Sequence, residues 1–270
     1  MIWTILILIV AIALFLFGAN VLGNTGKGES LMQKCVKLLA IILIAGCTAR
    51  LVTPYYLVSV NPMILQEMAE GFQEQQAAEK NKAIRKAVKS GAESMMADAP
   101  ILGNVDAKNT IFIWTDFSCP YCRRVHGELE KVLAERDDVR VVLKNFSIHG
   151  ELSDAPARAV IAAKIQDNAK AAALASTLMT KEYYSPDDMK DRSKLGAKVK
   201  ANVLKFAKEA GLDVKKLESD MQGEVVTREL ANVRGMAQEF EINGTPFLII
   251  NEQAFPGAIP YTQIINALKK

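Results

Sequence analysis

Two cysteines separated by two residues, Cys119-Pro120-Tyr121-Cys122, are the part of this sequence best suited to do chemistry. A thiolate attacks a disulfide sulfur, forms a mixed disulfide, and is displaced by a second thiol held nearby. Cysteines three apart supply both thiols. Two other uses of the spacing weigh less. A zinc site wants a second C-x-x-C, and Cys35 and Cys47, the remaining cysteines, do not form one. A soft-metal site would have to recruit His126, which shares a helical face with Cys119 and Cys122; the other histidine is His149. A structural disulfide across so short a loop would restrict the unfolded chain too little to stabilise much. No metal, and no cofactor beyond the dithiol, is expected.

The flanking residues favour the thiolate. Thr110 to Asp116 is a β-branched and aromatic run of strand length. Arg123 to Glu135 reads as an amphipathic helix, with Val125, Leu129 and Val132 on one face. Cys119 therefore falls at a strand-to-helix junction. There the positive end of the helix dipole and free backbone N–H groups stabilise an anion, and a thiol pKa drops below the ~8.5 of free cysteine. Pro120 suits the first turn, where a missing N–H costs nothing. This order makes Cys119 the expected nucleophile and Cys122 the resolving thiol. Asp116 either relays protons or caps the helix, and the cap is the favoured reading. Arg123 and Arg124 either lower the thiolate pKa or are solvated on the helix, and His126 either does the same or lies on the helix flank; none of the three is assigned a role.

The run Phe112 to Cys122, FIWTDFSCPYC, resembles the active-site entry of DsbA-like thiol–disulfide oxidoreductases, a thioredoxin-fold family. Asn243 to Ile250, NGTPFLII, is similar to that family's G-T-P-x-Φ-Φ segment, where Φ is apolar. The resemblance implies that Pro246 is cis and faces the C-x-x-C. It also implies that Thr245 and Pro246 bind the substrate chain, with Pro120 and Tyr121 contributing from within the motif. Phe255-Pro256-Gly257-Ala258 and a final helix, Tyr261 to Leu268, extend the resemblance, which covers about residues 100–270. The implied fold is α/β, a thioredoxin-like fold with a helical insertion at about 150–235. Within that region Val139 to Phe146 reads as a strand, and Asp154-Ala155-Pro156 opens an alanine-rich helical run to about Met179. Ser185-Pro186-Asp187-Asp188 carries a helix-start signature. Gly211 stops a helix beginning near Val199, Asp213 caps a short one, and Glu224 to Phe240 forms another. One position departs from the family: the acidic residue six before the first cysteine is here Ile113.

Composition and charge place this domain in the cell. Half of the 270 residues are apolar and 23% are charged, which excludes a disordered or collagen-like chain. Residues 1–61 hold Lys27, Lys34, Lys37 and Arg50 against Glu29 alone, so the whole net charge of +3 sits there. The neutral remainder argues against a nucleic-acid binder, which needs a basic face. In Ile2 to Leu22 only Thr4, Gly18 and Asn20 are not apolar, a length that spans a bilayer core. Leu38 to Val60 is a weaker second span, because Arg50 lies near its middle and Pro54 interrupts it. The lysines between the two stretches make that loop cytoplasmic and put the body outside, in the periplasm of a Gram-negative cell. A competing reading takes Ile44-Ala45-Gly46-Cys47 as a lipobox, with Cys47 lipidated and translation starting at Met32.

Three regions result: membrane-anchoring segments over 1–61, a helical linker or stalk over 62–99, and the redox domain over 100–270. The linker carries two apolar stripes, Leu65/Met68/Phe72 and Ile84/Val88/Met95. It is either a spacer whose apolar positions rest on the body or membrane, or a self-association stalk. The expected function is a membrane-tethered periplasmic thiol–disulfide oxidoreductase acting on protein substrates in concert with a membrane or periplasmic redox partner. Its oligomeric variant is a disulfide isomerase or reductase. The alternative from another class is a non-catalytic docking subunit of an envelope complex.

Overall fold

The structure, a computed structural model, describes residues 38–50 and 63–269 together with residues 7, 9, 10, 12 and 35. Most of the expected span 2–22, and the second half of the span 38–60, lie outside the described residues. Residues 38–50 are helical. Among the described residues no helix is long and apolar enough to cross a membrane. The chain forms two compact units, Met1–Ala77 and Ala78–Lys270. Helix α1 (Ile64–Met96) begins in the first and ends in the second. Its first stripe, Leu65, Met68 and Phe72, is exposed. Its second stripe is not: Ile84 and Met95 are buried and Val88 packs against the same core. The helix leaves regular geometry at Gly91 (φ −145°, ψ 17°).

The second unit is built on a five-stranded sheet in the order β1-β3-β2-β4-β5. The strands are β1 (Ile101–Gly103), β2 (Asn109–Thr115), β3 (Val139–Asn145), β4 (Phe247–Ile250) and β5 (Gln253–Pro256). The central pair, β2 and β3, is parallel, with Ile113 opposite Leu143 and Thr115 opposite Asn145. The other pairs are antiparallel. A parallel pair needs a crossover, and α2 (Pro120–Glu135) supplies it. Both faces of the sheet are covered, so β2 and β3 read as nearly continuous apolar runs rather than as alternating ones.

Alternate residues sort between the two faces. Ile111, Ile113, Val141 and Leu143 join the core that holds α2, the final helix α8 (Tyr261–Leu268) and the helical insertion. Phe112, Trp114 and Val142 join the core that holds the second half of α1 and helix α7 (Glu224–Glu239). Trp114 meets Phe240 and Phe247 edge-on at 5.9 and 6.2 Å between ring centres. Its indole N–H donates to the Val233 carbonyl at 3.3 Å.

Two lysines fasten the end of α1. The last carbonyls of a helix have no intrahelical donor. Lys144 Nζ donates to the Met95 carbonyl at 2.8 Å, and Lys164 Nζ donates to those of Met96, Ala97 and Ala99 at 3.1, 2.7 and 2.6 Å. Lys144, fully buried, also pairs with buried Glu229 at 2.6 Å. Burial pulls the Lys144 ammonium down and the Glu229 carboxyl up, each towards its neutral form, and the partner's charge opposes this.

The insertion comprises α3 (Glu151–Gln166), α4 (Asn168–Thr180), α5 (Arg192–Glu209), α6 (Val214–Asp220) and then α7. Three expectations need correction here. The alanine-rich run is not one helix: Asp167 is extended, and its side chain caps α4 through Lys170 N at 3.0 Å. Nor does the run begin at Asp154, because Glu151 starts α3 and Pro156 lies inside it. A proline there strips the carbonyl four residues back of its donor. That carbonyl, of Leu152, accepts instead from the Tyr183 hydroxyl at 3.0 Å. Finally, Ser185 to Asp188 starts only a single 3₁₀ turn, Asp188–Lys190. Asp213 caps α6 as expected.

Candidate active site

Cys119 occupies the N-cap of α2 with extended backbone (φ −78°, ψ 120°), and Pro120 is the first helical residue. The Asp116 carbonyl accepts from Cys119 N at 3.1 Å, which closes the tight turn from β2 into α2. Both cysteines are free thiols. Cys119 retains 5% exposure and Cys122 none. The Cys119 thiol lies 3.5 Å from the Thr245 carbonyl oxygen, and the Thr245–Pro246 peptide bond is cis. Residues 126 positions apart in sequence thus meet across the top of the sheet. Beside the cis bond, Asn243, Thr245, Pro246 and Pro256 line a cleft of about 380 Å³. Tyr121 is 58% exposed, with the Arg124 guanidinium 5.6 Å from its ring centre.

The two sulfurs sit in different surroundings. Burial pushes the Cys122 thiol up to about 12. The Asp116 N–H, which donates to its sulfur at 3.4 Å, and the nearby hydroxyls of Thr245 and Thr115 offset this only in part. Cys119 sits at the N-terminal end of α2 and keeps the access that Cys122 lacks. An accessible thiol at a helix N-terminus, with a second, proton-retaining thiol beneath it, is an arrangement that attacks from one sulfur and resolves with the other.

The flanking groups differ from the sequence reading. Asp116 does not cap α2. Its buried carboxylate accepts from Ser118 N and Oγ and from Ser153 Oγ at Oδ1, at 2.9, 2.8 and 2.9 Å. At Oδ2 it accepts from Ile148 N at 2.8 Å and meets His149 Nδ1 at 2.9 Å. The physical reason is reach. A cap must accept from one of the first helical N–H groups, and a residue three before the N-cap is better placed to close an Asx turn on Ser118. Arg123 is not free for a thiolate either: it donates to the carbonyls of Phe117 and Lys181, each at 3.3 Å. His126 is buried rather than on the flank. Burial depresses its pKa against the pull of Glu130, which lies 3.1 Å from Nε2. Among the described residues no three His, Cys, Asp or Glu side chains converge as a metal site would require.

Sequence reasoning singled out neither His149, Ser118 and Ser153 nor Thr115, Asn145 and the groove beyond Thr245. Asp116-x-Ser118 does carry an Asx-turn signal. His149 and Ser153 come in only through the β3–α3 loop and the start of α3, whose path leaves no local mark, while Thr115 and Asn145 meet by strand pairing.

The Asp116 network sets one pH dependence. Burial raises its carboxyl pKa, but the hydrogen bonds from Ile148, His149, Ser153 and Ser118 outweigh burial and hold it below its ordinary 3.8. Between the two values the unfolded chain binds more protons than the folded one. The stability that Asp116 adds is therefore complete above pH 3.8 and is lost as pH falls through the folded value. Asp116→Asn should be less stable than wild type at pH 7 and should lose less stability on acidification below about pH 4. Denaturant titrations from pH 7 to pH 2 check this; an unchanged difference between the two proteins at every pH would contradict it.

A family model described as Thioredoxin matches residues 95–270. A thioredoxin-like oxidoreductase from Silicibacter pomeroyi DSS-3 is similar, with TM-score 0.57 and 31% identity over 66% of this chain and 96% of that one. ScsC of Proteus mirabilis, in a transitional conformation, gives TM-score 0.56 and 27% identity over 82% of this chain and 93% of that one. Among curated proteins, the Na(+)/H(+) antiporter NhaA 1 of Mycolicibacterium gilvum is 28% identical over 174 residues, 63% of this chain. This chain spans only 26% of that relative's length. With its dithiol at a helix N-terminus opposite a cis-proline, its mixed five-stranded sheet and these relatives, the chain belongs to the thioredoxin family and is one of its oxidoreductases.

Proposed function

We propose that this chain is a membrane-tethered oxidoreductase that exchanges disulfides with protein substrates outside the cytoplasm. Cys119 is the nucleophile and Cys122 the resolving thiol, and Pro120, Tyr121, Thr245 and Pro246 contact the substrate chain. The observation that carries this reading is the pairing of the helix-terminal Cys119 with the Thr245 carbonyl at 3.5 Å. That carbonyl flanks the sulfur at the point where an extended substrate would lie. A related Salmonella enterica structure is described as a periplasmic thioredoxin-like protein, at 25% identity, which supports a periplasmic site of action. So does the lysine-rich segment between the two apolar stretches. The full chain should accelerate disulfide formation or reshuffling in a reduced or scrambled test protein in a glutathione buffer. No acceleration over buffer in either direction would overturn the proposal. For topology, a reporter active only in the periplasm should be active when fused at Lys270, whereas activity on fusion at Gly26 instead would invert the model.

An oligomeric isomerase is favoured by one observation: Leu65, Met68 and Phe72 are all more than half exposed on the start of α1. An exposed apolar stripe of this kind is an association surface. Met68→Glu/Phe72→Glu should convert a dimer or trimer of the full chain into a monomer by light scattering. Identical masses for wild type and variant would reduce this part of α1 to a spacer.

A further inference from the structure

Thr115 Oγ1 and Thr245 Oγ1, whose hydroxyls act on the Cys122 thiol, and both polar atoms of the Asn145 amide are buried and make no other hydrogen bond. They come from three places in the chain: the last residue of β2, the last residue of β3, and the turn before Pro246. Thr115 and Asn145 are register partners. By the period of two along a strand they continue the rows Ile111–Ile113 and Val141–Leu143, which pack in the same core as Cys119 and Cys122. Buried polar groups are nearly always paired, and an unpaired amide costs stability. The Asn145 amide costs the resting protein stability and is present nonetheless.

The same site lacks a carboxylate. Ile113, six residues before Cys119, is buried and apolar. The Asp116 carboxylate is occupied by Ser118, Ser153, Ile148 and His149. His126, on the same helix, is turned to Glu130, and Arg123 to two backbone carbonyls. Burial opposes ionisation of the Cys122 thiol. Yet resolution requires that ionisation. The Cys122 thiol gives its proton to solvent, and the thiolate attacks the Cys119 sulfur of the mixed disulfide. The Cys119–Cys122 bond forms as the bond to the substrate sulfur breaks. The substrate leaves as a thiolate and takes a proton from solvent, so the substrate disulfide is reduced and the dithiol oxidised by two electrons.

We propose that Asn145 and Thr115 are positioning residues for this step: the Thr115 hydroxyl already acts on the Cys122 sulfur, and the Asn145 amide paired beside it, idle in the resting dithiol, turns to that sulfur as its negative charge develops. Donors with no partner in the ground state and one in the transition state stabilise only the latter, which is the condition for raising a rate. Thr245 adds a second hydroxyl from the substrate side, coupling the donor set to the loop on which the substrate lies. The assignment rests on Cys119–Cys122 exchange as proposed above.

The test separates the two steps in the full chain. Mixed-disulfide formation with glutathione disulfide reports Cys119, and its decay to the internal disulfide reports Cys122. Asn145→Leu and Thr115→Val should form the mixed disulfide at nearly the wild-type rate. They should resolve it about tenfold more slowly, with the pH profile of resolution moved up by about one unit. Thr115→Ser, which keeps the hydroxyl, should resolve normally. In a Cys119→Ala background, Asn145→Leu should move the Cys122 ionisation, read by alkylation rate against pH, in the same direction. A merely structural role would lower the melting temperature and leave both pH profiles in place, and that result overturns the assignment. So do unchanged resolution rates in both variants. A wild-type chain that forms no mixed disulfide at all would instead overturn the exchange reading on which the proposal stands.

Discussion

Cys119→Ala should abolish exchange, with a loss of at least about a thousandfold, as expected for removing a nucleophile. Cys122→Ala should do something different: leave the first attack intact and trap substrates on Cys119 as mixed disulfides. The asymmetry follows from position. Cys119 lies at the N-cap of α2 beside the Thr245 carbonyl, whereas Cys122 is fully buried and its thiol is held at about 12. At neutral pH almost none of it is thiolate, so it cannot compete for substrates arriving from outside. It acts only when an adjacent sulfur is presented to it. Non-reducing electrophoresis of cells expressing each variant, followed by reduction, should show high-mass reducible adducts for Cys122→Ala alone. Stronger adducts with Cys119→Ala would reverse the roles.

The largest effect on stability is expected at a distance from the dithiol. Lys144→Ala leaves Glu229 buried without its partner and the Met95 carbonyl without its donor. Breaking a buried pair from one side costs about 3–5 kcal/mol, which for a unit of this size lowers the melting temperature on the order of 10 °C. Lys144→Met/Glu229→Leu should recover most of that loss, because removing both charges removes the desolvation penalty as well. Calorimetry of the two variants decides it. A single variant as stable as wild type would mean that Glu229 takes up a proton and tolerates its isolation at little cost.

The extent to which the fold was legible in the sequence depended on where each signal resides. The strand, helix and junction around Cys119 carry theirs locally, in a β-branched run, an amphipathic repeat and a proline at the first turn. The structure puts β2 and α2 within one to three residues of the expected limits. The cis bond before Pro246 and the approach of Thr245 to Cys119 came from resemblance alone, since nothing in NGTPF states which distant residues it will face. The pattern-based reading failed at Pro156, taken for a helix start. Its lost hydrogen bond is replaced from Tyr183, a residue beyond the next helix, and no local rule anticipates a donor supplied from there. It failed again at Asp116, where a cap and an Asx turn use the same residue type and only the path of the 146–150 loop decides between them. The short strand β1 escaped notice because three residues carry no period.

The second half of α1 has a consequence for how the domain comes into being. Lys80 donates to the Glu241 carbonyl, and Asn81 accepts from Ala254 N, across 161 and 173 residues of chain. Ile84 and Met95 are buried among residues that include Phe240, Phe247 and Ile249. A ribosome making about 5–20 residues per second therefore delivers this helix roughly 10–30 seconds before the strands that cover it. For that interval its apolar face is open to any other surface. The last element of the sheet to be made closes the first helix of the domain, so the fold cannot be completed piecemeal from its N-terminus. A chain cut short before β4 would present both an uncovered helix and the unpaired edge of β2, and would be a substrate for chaperones and proteases rather than a smaller working enzyme.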